Sequence, residues 1–299
     1  MSQTGTLRER RQQSIDRCAQ VTGVGFLTGG DVTLRFLPAD ANHGIVFERT
    51  DCPGSEPVPA LIDYTIPRER RTAISHQGVT VEMTEHVLAA LAGLQIDNCR
   101  VQLDAPEPPG GDGSSQAFAD ALLQADLVEQ DAMHPVFVVG ETTGVSAADG
   151  SEVTVKPSAR PALAISYQLD YGPRSPIRPQ TLSIEITRQS FLDGLVFART
   201  FILESEIEAL RAQGYGSRTT TDDLLVFGAD GPMGNQLRAP DECVRHKILD
   251  CLGDFALMGT DIHGHFEAYR SGHSLNREVI RRLRHTQEPV AAARARRSA

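Results

Sequence analysis

The spacing of apolar residues changes several times along the chain, and each change marks an element. Between residues 20 and 49, VTLRFLPAD and HGIVFERTD are short, rich in Val, Ile and Phe, and bounded by Gly, Asn and Pro, which predicts strands. VTVEM at 79–83 predicts another. The period then lengthens. In TEHVLAALAGL, Val87, Leu88, Leu91 and Leu94 fall on helical spacing, with Thr84 as the expected N-cap and Gly93 as the expected stop. A strand in NCRVQLDAP, a Pro/Gly loop in EPPGGDGSS and a helix over 115–125 follow.

Near 130–135 a new β pattern opens with PVFVVGE, which divides the chain into domains 1–132 and 133–299. The second part repeats the order of the first. Strands are expected in FVVGETTGV, EVTVKP, ALAISYQL and TLSIEI, and helices over 204–213 and 240–258. Two similarly ordered halves predict an α+β fold built on a duplicated unit, although no sequence repeat is visible. The Ala/Arg-rich tail from Val290 is expected to fray.

Composition narrows the function classes. With 299 residues, 40% of them hydrophobic, the chain can bury a sizeable core. A net charge of -10 disfavours nucleic-acid binding but leaves room for a local cationic pocket holding a phosphorylated small molecule. The five cysteines are odd in number and lack C-x-x-C spacing, so neither a disulfide framework nor a Cys-rich zinc knuckle is expected. MSQTGTLRERRQQSIDRCAQ lacks the apolar stretch of a secretory signal, and no run of 18 apolar residues could span a membrane. The expected setting is a reducing cytoplasm.

The densest chemistry lies in PDECVRHKILDCLGDFALMG. Wound at about 100° per residue, it puts His246, Asp250 and Asp254 on one stripe, with Cys243 and Lys247 at its edge. Val244, Ile248, Cys251, Leu252 and Phe255 cover the opposite face. A His and an Asp at i, i+4 can chelate one metal ion; the same spacing also describes a solvated amphipathic face. Thr84-Glu85-His86 offers a ligand beside a carboxylate, or simply an ordinary helix start. In HGHFEAYRSGHSLN, His273 sits at a strand-to-helix turn, where it can act as a general acid or do nothing. His263 and His265 alternate as strand residues and read as structural. TGVGFLTGG runs into a strand, so it is no dinucleotide fingerprint, and GGDGSS lacks the ending of a P-loop. Ser271 has no nucleophile-elbow context.

Together, TEHVLAALAGLQIDN, DGSSQAF, ARTF, VRHKILDCLGD and YRSGHSLN resemble, in order, the blocks of the UDP-3-O-acyl-N-acetylglucosamine deacetylase family, zinc enzymes of bacterial lipid A synthesis. The resemblance implies two similar two-layer α/β sandwich domains with the active site between their helical layers. It implies that His86, His246 and Asp250 bind zinc, that Glu85 is the general base, and that Thr200 supports the oxyanion. His273 would face the leaving group, oriented by Asp254. Lys247 and Arg270 would lie near the nucleotide diphosphate. An insert near 197–221, offering Phe201, Ile202 and Leu210, would line an acyl channel, a role that ordinary core packing would equally explain. The implied substrate is a UDP-linked acylated amino sugar that loses its N-acetyl group. The alternatives are deacetylation of a related nucleotide sugar, and a non-catalytic sugar-nucleotide binding protein on the same fold. A monomer without a transmembrane segment, free to touch a membrane surface peripherally, is expected.

Departures from the family pattern sit in loops. Phe26-Leu27-Thr28 replaces a block that usually carries His, GYGSRTTTDD replaces a Gly-Gly-Ser loop, Cys243 stands at a usual Phe, and Arg270 where many members have Lys.

Overall fold

The alternation in VTLRFLP becomes the strand Asp31–Pro38, which buries Val32, Leu34 and Phe36 on one face. The computed structural model of the protein describes residues 10–295, with side chains to residue 286. The first sheet orders its strands Ala19–Val24, Asp31–Pro38, Cys99–Leu103, Ile45–Arg49, Val58–Pro59. Successive pairs are antiparallel, antiparallel, parallel and antiparallel. The second sheet runs Thr143–Ser146, Glu152–Lys156, Asp261–Tyr269, Leu163–Leu169, Gln180–Glu185, with the same series of directions. In both, the strand that comes last in the chain lies at the centre. Val136–Val138 adds a parallel partner to Asp261–Tyr269.

The helices repeat with the strands. α1 (Glu85–Gly93) precedes the first central strand and α2 (Gln116–Gln124) follows it. After α3 (Arg188–Gly194) and α4 (Glu204–Ala212), α5 (Glu242–Ala256) precedes the second central strand and α6 (His273–Ala295) follows it. α1 and α5 are therefore counterparts in an α+β duplication written in topology. The sequence need not repeat for this, because core positions accept many apolar residues of suitable volume. The two counterparts pack on each other, and at Gly253 a Cβ would stand 2.0 Å from the Glu85 carbonyl oxygen.

Each half carries a small sheet between its edge strand and its buried helix. The first comprises Thr65–Ile66, Ala73–His76 and Val79–Val81, and the second Phe201–Leu203, Leu225–Gly228 and Gly231–Met233. The second insert, with α4, thus runs past the expected end at 221. Arg10–Ile15 forms a strand that the polar N-terminal composition did not suggest. It pairs with Leu127–His134, which spans the expected domain boundary. Arg10 bridges Asp97 and Asp261, at 2.7 Å from each, and so ties the two halves together.

Other differences have local causes. FVVGETTGV is two strands, Val136–Val138 and Thr143–Ser146, interrupted around Gly140. α3 has no long apolar stripe to announce it and is instead started by Thr187 and Ser190, whose side chains cap each other's backbone N–H at 3.0 and 2.9 Å. α1 begins after Thr84 as expected, but Thr84 is itself helical (φ -79, ψ -15) and reaches back to the Thr72 carbonyl at 3.4 Å instead of capping. α6 continues to Ala295, since Ala and Arg are good helix formers, so helix replaces the expected fraying that far; 296–299, like 1–9, lie outside the described residues. All five cysteines are free. Among the described residues no helix is long and apolar enough to cross a membrane.

Candidate metal centre

The i, i+4 stripe of α5 is not a solvated face. His246, Asp250 and Asp254 are 2%, 3% and 0% exposed, pressed against the start of α1. There His86 Nε2 lies 3.6 Å from Asp250 Oδ1, and His246 Nε2 lies 3.2 Å from the same oxygen. The two rings meet edge to face with centroids 5.0 Å apart. The Nδ1 of His246 is 3.0 Å from the Ala198 carbonyl. A carbonyl can only accept, so Nδ1 carries the ring proton and Nε2 offers a lone pair. Asp250 Oδ1 is buried without a hydrogen-bond donor. Lone pairs this close in a protein interior call for a cation between them. Two imidazole nitrogens and one carboxylate oxygen suit a borderline divalent ion with a further position left open.

Neighbours fix this donor set. The Lys247 ammonium donates to Asp250 Oδ2 at 2.7 Å, leaving Oδ1 for the centre. Burial opposes the charge on Asp250, yet the Lys247 and His273 cations beside it hold its carboxyl well below the usual carboxylate range. The Ala198 carbonyl is held by the next residue. Arg199 donates from Nε to Glu242 Oε1 at 2.8 Å and from Nη2 to Oε2 at 3.1 Å, with both side chains buried. That pair anchors the ARTF segment to the first turn of α5. On α1, the Ser115 hydroxyl donates to the His86 carbonyl at 2.8 Å.

Two titratable groups flank the centre. His273 Nδ1 donates to Asp254 Oδ2 at 2.9 Å, which turns Nε2 inward, 3.9 Å from both Glu85 Oε1 and Asp250 Oδ2. Burial works against a charged His273, but Asp254, Glu85 and Asp250 outweigh it and lift its pKa to about 9. Burial pushes the Glu85 carboxyl upward, against the pull of His273 and His86. The loop before His273 is pinned where Tyr167 donates to the Ser271 carbonyl, and the Ser271 hydroxyl donates to Asn276 at 3.1 Å. Ser271 is thereby a structural hydroxyl.

The remaining candidates are placed unevenly. The Phe201 ring lies 6.1 Å from His246 and 5.9 Å from Tyr171, an aromatic edge on the centre. Thr200, between Arg199 and Phe201, donates its N–H to the Gly113 carbonyl at 2.8 Å. Arg270 is exposed over the Tyr269 ring at 5.9 Å, and its backbone N–H donates to the Gln168 carbonyl at 3.0 Å. Cys243 is fully buried, its thiol pushed up to about 12 mainly by burial, and stands outside the cluster. A second group, Asp97, His134 and Asp261, could also ligate a metal, but the Arg10 guanidinium already occupies both carboxylates.

The family model described as LpxC, UDP-3-O-acyl N-acetylglycosamine deacetylase, matches residues 12–285. The chain belongs to this deacetylase family. A relative named UDP-3-O-acyl-N-acetylglucosamine deacetylase, from Myxococcus xanthus, is 36% identical over 278 residues, 91% of this chain and 86% of the relative. Relatives of the same name from Mannheimia succiniciproducens and Chlamydia pneumoniae are 35% and 36% identical, over 93% and 90% of this chain and 91% and 95% of their own. Within this deacetylase, the two loops that depart from the family pattern touch each other. The Gly216 N–H donates to the Phe26 carbonyl at 2.9 Å, and Arg218 pairs with Asp31 at 2.7 Å. Beneath them the buried Glu107 accepts from the Thr28 N–H at 2.7 Å and the Thr28 hydroxyl at 2.9 Å. Sequence reasoning missed Thr72, Glu107, Arg199 and Glu242. The acidic first turn of α5 was a signal for Glu242; the other three carry no spacing that sets them apart.

Proposed function

We propose that the protein hydrolyses the N-acetyl group of UDP-3-O-(3-hydroxyacyl)-N-acetylglucosamine, giving acetate and the free amine, as a zinc-dependent step of lipid A synthesis. The observation that carries the proposal is the convergence of His86, His246 and Asp250 on the donor-less Asp250 Oδ1, in a chain of this family. Bound zinc would supply a Lewis acid that acidifies water and polarises the amide carbonyl.

The chain's own residues do the rest. Glu85 takes the proton of the attacking water, its raised pKa suiting a group that must also hold that proton. The Thr200 hydroxyl supports the oxyanion. His273, protonated and facing inward, meets the leaving nitrogen, because an amine departs only when protonated. Asp254 fixes the orientation of His273. Lys247 and Arg270 are the cations assigned to the diphosphate, Arg270 from the exposed rim. Phe201, with the insert behind it, faces the acyl chain. The halves 1–132 and 133–299 act as two domains of a cytoplasmic monomer, with α1 and α5 enclosing the site.

The paired loop departures at 26–28 and 214–223 favour a second reading, a related nucleotide sugar as the true substrate. A panel of UDP-sugars with and without the 3-O-acyl chain decides between the two. Preference for the 3-O-acylated N-acetylglucosamine supports the first, and equal or better turnover of another sugar overturns it. Glu85→Ala is expected to keep substrate binding and lose turnover; unchanged turnover removes Glu85 as the base.

A further inference from the structure

Thr72, just ahead of the strand Ala73–His76, is fully buried and belongs to no motif read from the sequence. Each of its polar groups is committed. Its N–H donates to Glu85 Oε2 at 3.0 Å, and its carbonyl accepts the Thr84 N–H at 3.0 Å. Its hydroxyl touches Asp254 Oδ1, Arg277 Nη1 at 3.0 Å and His273 Nδ1 at 3.4 Å. Arg277, 3% exposed, also donates to the Arg71 carbonyl at 3.0 Å.

Donor counting removes any freedom in this arrangement. A guanidinium has donors only, so Thr72 Oγ1 accepts from Arg277 and has one proton to give. That proton goes to Asp254 Oδ1, a carboxylate oxygen. Asp254 Oδ2 accepts from His273 Nδ1 at 2.9 Å and from Asn276 Nδ2 at 2.8 Å. Both Asp254 oxygens accept and neither can donate, so His273 must keep a proton on Nδ1 and present Nε2 to the site. Meanwhile the Thr72 backbone holds Glu85 Oε2, which leaves Oε1 facing His273 Nε2. His273, Asn276 and Arg277 occupy i, i+3 and i+4 of α6, so one face of its first turn meets Asp254 through His273 and Asn276, and Thr72 of the opposite half through His273 and Arg277.

We infer that Thr72, backed by Arg277, is a positioning residue that sets the two proton carriers of the reaction, Glu85 on α1 and His273 on α6, relative to each other. The inference rests on the reading of Glu85 and His273 in the proposed function. Thr72 touches no reacting atom. Its hydroxyl fixes His273 through Asp254, and its N–H fixes Glu85.

The test uses the full-length, zinc-loaded protein. Thr72→Val keeps the shape and the backbone N–H and removes the hydroxyl, and Thr72→Ser keeps the hydroxyl. Thr72→Val is expected to lower kcat about 10- to 100-fold with KM within twofold, as for losing a buried hydrogen bond to a charged group. Thr72→Ser is expected to stay within about threefold of the parent. In proton NMR, the low-field His273 Nδ1–H resonance, assigned by its absence in His273→Gln, should move in Thr72→Val and stay in place in Thr72→Ser. Should Thr72→Val not fold, Arg277→Gln replaces it under the same two criteria. Unchanged kcat with an unmoved resonance overturns the inference, as does equal impairment of Val and Ser. The resonance is read without substrate, so a protein inactive on every UDP-sugar fails the functional reading while leaving this test decisive.

Discussion

Gly253→Ala probes the contact on which the whole site depends. A Cβ at 253 would lie 2.0 Å from the Glu85 carbonyl oxygen, 2.8 Å from its carbon and 3.1 Å from its Cα. Carbon–oxygen contacts of this kind settle near 3.3 Å, so α1 and α5 must part by about 1 Å. The obstacle is backbone, which cannot rotate aside as a side chain would. Overpacking of this sort costs about 1–3 kcal/mol, against a gain of about 1 kcal/mol from replacing Gly by Ala in a helix. With a clash this deep we expect a net loss near 2 kcal/mol. The functional effect is larger. The shift separates His86, on α1, from His246 and Asp250, on α5, and a misplacement of about 1 Å is expected to cost roughly 100-fold in turnover. Thermal unfolding, zinc affinity by competitive chelation, and kcat on the same preparation give the answer. Gly140→Ala is the control, because a Cβ there meets nothing within 4 Å. A higher melting temperature with unchanged zinc affinity would show that propensity wins and that the helices part without cost, contrary to this expectation.

Three further outcomes follow from the same packing. Glu242→Leu strands the Arg199 guanidinium in the interior and should cost about 3–5 kcal/mol by urea unfolding, whereas a loss under 1 kcal/mol would show that the pair does not anchor the ARTF segment. Removing zinc with a chelator should lower the melting temperature, by linkage worth about 4 kcal/mol at a thousandfold excess over Kd; Asp250→Asn should abolish most of that shift, and a shift that survives would place the metal elsewhere. In metal-free protein His273 has a pKa of about 9, above its unfolded value of about 6.5. Its contribution, on the order of 3 kcal/mol, is therefore complete below pH 6.5 and lost as pH rises through 9; urea midpoints that fall equally in the parent and in His273→Gln would refute this.

The difference between what was legible and what was not follows from sequence separation. His246 and Asp250 could be paired from spacing because both ride one helix, where four residues bring side chains to one face. Nothing local joins His86 to them. Its place follows from the packing of α1 on α5, which the sequence shows only as two apolar stripes and a glycine at 253. The duplication was visible as an order of elements, yet the boundary near residue 132 falls inside a strand whose partner, Arg10–Ile15, is too polar to read as one. Thr72 is the extreme case. It is a small residue just ahead of a short strand, and what sets it apart is contact with four side chains, Glu85, Asp254, His273 and Arg277, carried by α1, α5 and α6. Metal ligands announce themselves because few side chains can do their work. Positioning residues do not, because any buried group with a donor and an acceptor in the right place would serve. The sequence therefore names the side chains that could hold a metal more readily than the groups that keep them in register, and in this protein the second set includes contacts that cross between its two halves.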